Sequence, residues 1–196
     1  MLITKRIPLA IHAALAALFL TVPPLHAQTA GARSSYEAAD STSGAGKTAG
    51  AKLSKEDGEM MRDMAHANLA EIETGKMALE KSQSDQVKKF AQMMIDDHTT
   101  ALKELQAIAQ SKGTTLPKET DVPHKAIATA LKALSGDTFD KQYIARVGVG
   151  DHERTLEMLQ KAQKNTKDPD LKAYAQKTQQ TVNQHLNMAR KMEGKK

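Results

Sequence analysis

The sequence predicts an all-α fold: a four-helix bundle made of two related hairpins, joined by a long crossover that carries a short helix. Three observations lead there. Apolar residues recur at three- and four-residue spacing through four long segments, with no competing strand alternation or Gly-rich phosphate loop. Capping residues and Gly or Pro breakers stand at the segment ends. The order apolar, basic, aromatic, Ala, Gln occurs twice, in Val87-Lys88-Lys89-Phe90-Ala91-Gln92 and in Leu171-Lys172-Ala173-Tyr174-Ala175-Gln176. Each copy opens the second helix of a hairpin.

The first helix begins at Ser54-Lys55-Glu56-Asp57, a capping-box pattern with acids at the helix's positive end. It runs to about Lys81 with Met61, Met64, Ala65, Asn68, Glu71, Ile72, Gly75, Ala78 and Leu79 on one face. Ser84 opens the second, whose stripe is Val87, Phe90, Ala91, Met94, His98, Leu102 and Leu105; Gly113 closes it and Pro117 blocks continuation. Thr114 to Val122 is loop, and Pro123 to Leu134 is a short helix ended by Ser135-Gly136. Asp137 with Asp140 is expected to cap the third long helix, with Ile144, Gly148, His152, Thr155, Leu159 and Ala162 inward. Asp168-Pro169 opens the fourth: Leu171, Tyr174, Ala175, Thr178, Val182, His185, Met188, Ala189 and Met192. The crossover from Thr114 to Gly136 spans about 45 Å when its loop extends, enough to run along a helix of about 40 Å. One long crossover is the ferritin-like topology.

Ahead of the bundle, residues 1–27 read as a secretory signal peptide. Lys5 and Arg6 precede the apolar run from Ile7 to Val22, Pro23 and Pro24 end it, and Leu25-His26-Ala27 suits cleavage. A retained membrane anchor needs a span of roughly 20 apolar residues, longer than this run. Residues 28–53, rich in Ala, Gly, Ser and Thr, read as a flexible linker. The bundle and a short basic tail then occupy 54–196. Removing Lys5 and Arg6 leaves 26 basic against 23 acidic side chains, a net charge of +3. So mild a charge argues against a nucleic-acid partner. No cysteine is present, which excludes disulfides, thiolate metal sites and a lipidated N-terminal Cys. The expectation is a periplasmic or secreted protein with no integral membrane span after cleavage. A second copy of the chain or an unidentified envelope component remains as partner.

Glu71, His98, His152 and His185 each lie near the middle of one long helix, on or beside its apolar stripe. A polar group there is costly to bury without a partner. With turns at about Gln83 and Lys167, each hairpin's two residues differ by three positions in distance from the turn, or roughly 5 Å in height. All four therefore meet at one level. Three imidazoles and a carboxylate suit one Zn, Fe, Cu or Mn ion, with or without an open position for water. Asp97 and Asp151, each just before a histidine, are candidates to shift onto the stripe or to accept hydrogen bonds from the ligands. The competing reading is a buried network with Glu71 paired to a protonated histidine and no ion. His66 and His124 read as solvated, the methionines as core filler before copper ligands, and no catalytic residue stands out.

The chain also resembles a known family. Ala70-Glu71-Ile72-Glu73-Thr74-Gly75-Lys76-Met77-Ala78, and Val87-Lys88-Lys89-Phe90-Ala91 running to Met94-Ile95-Asp96-Asp97-His98-Thr99, carry the resemblance. So do Phe139-Asp140-Lys141-Gln142-Tyr143-Ile144 leading to His152, and Leu171-Lys172-Ala173-Tyr174-Ala175 leading to His185-Leu186. The family is an exported bacterial ferritin-like domain of unknown function, often labelled outer membrane or secreted protein; the likeness covers about Asp57 to Met192. It implies a ferritin-like bundle in the bacterial envelope and no particular activity. Di-iron chemistry does not carry over. Ferritin-type sites need Glu-x-x-His on two helices, and Ile95 and Val182 stand three residues before His98 and His185. Three functional readings follow: an envelope binding or maintenance protein holding a single metal, a metal-dependent redox or metal-handling protein, and a structural interaction module without metal.

Overall fold

The computed structural model describes residues 53–194; the expected signal peptide, all but the last residue of the expected linker, and Lys195 and Lys196 lie outside them. Four long helical segments form the bundle: α1 (Lys55–Lys81), α2 (Asp85–Ser111), a third segment, and α6 (Pro169–Glu193). The third segment is composite, with α4 (Gly136–Tyr143), a π-helical stretch (Ile144–Asp151) and α5 (His152–Asn165) end to end. The crossover helix α3 (Val122–Lys132) packs against α1 and α4. α1 pairs with α2 and α5 with α6, while α2 lies beside α6 and α1 beside the third segment. This is the ferritin-like arrangement expected from the sequence. No described helix is long and apolar enough to cross a membrane.

Local chemistry sets most boundaries. Ser54 Oγ accepts from the Asp57 N–H at 3.0 Å, Ser84 Oγ from Val87 at 3.4 Å, and Asp168 from Leu171 at 2.9 Å. Each satisfies an N–H that the first helical turn leaves without a partner. Asp168 also takes Lys112 Nζ at 2.8 Å, tying the end of α2 to the start of α6. The third segment departs from expectation at its start. It begins at Gly136, whose φ of 54° turns the chain, and the preceding Ser135 makes no side-chain cap. Asp137 lies already inside the first turn.

The π stretch was not expected. Its i→i+5 winding turns less per residue than an α-helix, so Tyr143, Val147 and then both Asp151 and His152 stay buried. Gly148, within it, approaches α6 closely: a Cβ there would lie 2.8 Å from Ala189 Cβ. Gly148→Ala is therefore expected to destabilise the fold by about 1–3 kcal/mol, the usual cost of overpacking, as read by denaturant unfolding.

The apolar interior has two parts. Met61, Met64, Leu105, Leu159, Leu171 and Tyr174 fill one half; Phe90, Met94, Phe139, Tyr143, Val147 and Ala189 fill the other. Asn68, Glu71, His98, Asp151, His152 and His185 form a buried polar belt between the halves.

Candidate metal centre

Three of the four residues singled out in the sequence converge. His98 on α2, His152 at the start of α5 and His185 on α6 each offer one ring nitrogen, and these atoms all lie within 4.8 Å of one another. The ring centroids form a nearly equilateral triangle with sides of 5.7, 5.4 and 5.4 Å. All three rings are buried.

The outward nitrogens decide the chemistry. His152 Nδ1 is 2.9 Å from the carbonyl of Val147 inside the π stretch, and a carbonyl only accepts, so Nδ1 carries the proton. His185 Nε2 donates to Asp97 Oδ2 at 2.8 Å. Asn68 spends its amide N–H groups on the Met64 carbonyl at 2.8 Å and the Tyr174 hydroxyl at 3.1 Å. Its oxygen is thereby turned to His98 Nδ1 at 2.9 Å, which must donate. Each ring is thus fixed as one tautomer, with its remaining lone pair directed inward: His98 Nε2, His152 Nε2 and His185 Nδ1.

Those lone pairs have nothing to accept from. His98 Nε2 is buried without a protein partner. His152 Nε2 and His185 Nδ1 face each other at 3.4 Å as two acceptors. A proton would relieve the conflict, but the surroundings oppose one. Burial, then the neighbouring His152 and His185, hold His98 well below the usual imidazole range. Burial lowers His152 to about 4 despite the Val147 carbonyl, and lowers His185 despite Asp97. Three neutral imidazoles with convergent lone pairs, each braced through its other nitrogen, are a donor set for a transition-metal cation.

Glu71 is close by but outside this set. Its Oε1 lies 3.4 Å from His152 Nδ1, the nitrogen that points away from the other rings, and its Oε2 has no protein partner. Burial, then Asp151, push its carboxyl well above the usual range, with Arg154 opposing. With His152 held to about 4 its ring is uncharged near neutral pH, so its contact with Glu71 is no ion pair. Of the two aspartates, Asp97 accepts from a ring as anticipated, whereas Asp151 pairs with Arg154. His66 and His124, read as solvated, are half-buried and engaged. His66 Nδ1 donates to the Glu119 carbonyl at 2.9 Å, and His124 Nδ1 bonds Asp121 Oδ1 at 2.5 Å. His66 is engaged because the crossover brings Glu119 back to α1. Met61, Met64 and Met94 are fully buried in the apolar halves.

Two supports escaped the sequence reading. Asn68 lies on the α1 stripe, where an amide one turn from Glu71 on an apolar face is the sequence signal for it. The Val147 carbonyl left none, because a backbone acceptor depends on the π winding.

The comparisons with known proteins agree on the fold. A DUF305 fragment from Deinococcus radiodurans is similar at a TM-score of 0.66 and 14% identity, covering 74% of this chain and 100% of that one. CopM, solved in a Cu(II)-bound form, is similar at 0.60 and 20% identity, over 70% of this chain and 95% of that one. A spore coat protein from Bacillus halodurans C-125 gives 0.61 and 13% identity, over 72% and 88%. At these identities the likeness is one of fold. No curated protein matches the chain. A family model does, over residues 42–192, and the chain belongs to that family, described as Domain of unknown function (DUF4142).

Proposed function

We propose that this protein is an exported metal-binding bundle that holds one transition-metal ion on His98, His152 and His185, and that it serves metal handling in the bacterial envelope. The observation that carries the reading is the convergence of three buried lone pairs on rings whose other nitrogens are already tethered. Imidazole donors suit Cu, Zn and Fe, and copper(II) stands highest in the general affinity order. The similarity to CopM, whose solved form holds Cu(II), supports trying copper first. The leader pattern at residues 1–27 supports export.

The test is elemental analysis of untagged protein purified from its native compartment without chelator, followed by titration of the metal-free form. One ion per chain is expected. No uptake after incubation with Cu, Zn, Fe and Mn would overturn the reading and leave a buried polar network.

Glu71 supplies a second check, because the sequence alone placed it among the ligands. Glu71→Gln removes a carboxyl that burial disfavours in its charged form. It is expected to leave metal affinity within about threefold and to remove the contribution of Glu71 to the change of stability with pH above about 4.5. Titration calorimetry and thermal unfolding read the two effects. A large loss of affinity would return Glu71 to the ligand set.

A further inference from the structure

We infer that the cleft between α2 and α6 is the path by which the ion reaches and leaves the three histidines, which makes the ion exchangeable cargo and not a permanent part of the fold. The inference rests on the metal-binding reading above.

The cleft holds about 90 Å³ and ends on His98 and His185, with Ala101 and Val182 also in its wall. A water occupies about 30 Å³ of liquid, so the space admits an ion with part of its hydration shell. Polar groups line the route. Asp97, whose side chain is 44% exposed, reaches from solvent to His185 Nε2, so one carboxylate touches both the outside and a ligand ring. Glu104 adds a second carboxylate, and Thr100, Thr178 and Thr181 add hydroxyls. Two carboxylates leading to neutral nitrogen donors favour a cation and oppose an anion. The void on another side of His98, bounded by Met64 and Tyr174, measures about 10 Å³, too small for an ion with its waters. Among the described residues, Lys177 Nζ bridges to Glu104 Oε2 at 2.6 Å, joining α6 to α2 beside the cleft and offsetting one of its negative charges.

The test follows Co(II) uptake by metal-free protein in stopped flow, through the absorption of the His-bound ion, and its release to excess chelator. Thr181→Phe fills the cleft and replaces no ligand. Uptake and release should both slow by the same factor, leaving the equilibrium affinity unchanged. Lys177→Ala, a surface change that keeps the test open if the Phe variant folds poorly, should speed uptake by about tenfold at low salt, with the gain lost at high salt. Wild-type binding with unaltered rates in both variants, or an altered affinity at an unaltered uptake rate, overturns the path alone. A wild type that takes up no Co(II) overturns the metal site itself, and the path with it.

Discussion

His98→Ala is expected to abolish stoichiometric metal binding and, with it, any stabilisation by metal. The loss of one imidazole from three leaves two nitrogens on the same hairpin and removes the only ligand from the other. Changing a group behind a ligand typically costs 10–100-fold in affinity, so deleting a ligand should cost more than about 100-fold. Stability follows by mass action. At a free metal concentration of about 100 times the dissociation constant, the wild type gains about 2.7 kcal/mol, and the variant should gain nothing. The variant also strands the Asn68 oxygen, whose donor is His98 Nδ1 at 2.9 Å. That adds a metal-independent loss of about 1–3 kcal/mol. Calorimetric melting with and without metal separates the two contributions. Equal melting of wild type with and without chelator, and an unshifted variant, would contradict both.

Acidification of the metal-free protein is expected to be the second large effect. His152 is held at about 4 in the fold, against about 6.5 in an unfolded chain. Between those values the unfolded chain binds a proton that the folded protein refuses, so stability falls as pH falls from 6.5 towards 4. The span is worth about 3 kcal/mol from this one buried ring. His98 and His185 are lowered too and act in the same direction. Glu71 acts oppositely. Its raised carboxyl keeps a proton that the unfolded chain releases above about 4.5, so its contribution favours folding as pH falls. Asp151, raised by burial, acts with Glu71, but both carboxyls compete near the acid end, whereas the His152 shift spans the range from 6.5 down to about 4, and the net expectation is a loss over that range. Urea unfolding at pH 7, 6, 5 and 4.5 measures it; a flat profile would contradict the neutral, buried state of the rings. Bound metal should delay the loss, because the ion occupies the lone pairs that protons would take.

Much of this was legible in the residues. Ser54, Ser84 and Asp168 announced their helices because a cap is local chemistry, written within three or four positions. The convergence of His98, His152 and His185 was legible because hairpin geometry converts sequence distance from a turn into height. Height alone could not say which way Glu71 faces. It shares the level and the buried face, yet it meets the outward nitrogen of His152, a matter of rotation about two helix axes. The π stretch was opaque for a different reason. Ile144, Gly148 and His152 fit an ordinary helical spacing, so the wider winding over Ile144–Asp151 leaves no mark in the apolar pattern. Asp137 misled because a good capping residue two positions past the actual cap, Ser135, looks the same in sequence as the true start.

The division of the three ligands between the hairpins has a mechanical consequence. His98 belongs to the first, His152 and His185 to the second, and the only covalent link between those hairpins is the crossover around α3. An ion on all three would act as a staple across the bundle's waist, closing a loop from residue 98 to residue 152 that no disulfide can close in a chain without cysteine. Such a loop costs little when both ends are already packed and much once they part. Loading would thus be felt least in the resting structure and most in the rate at which the hairpins separate. A full protein and an empty one would look alike while differing in how long each survives heat, acid or proteolysis.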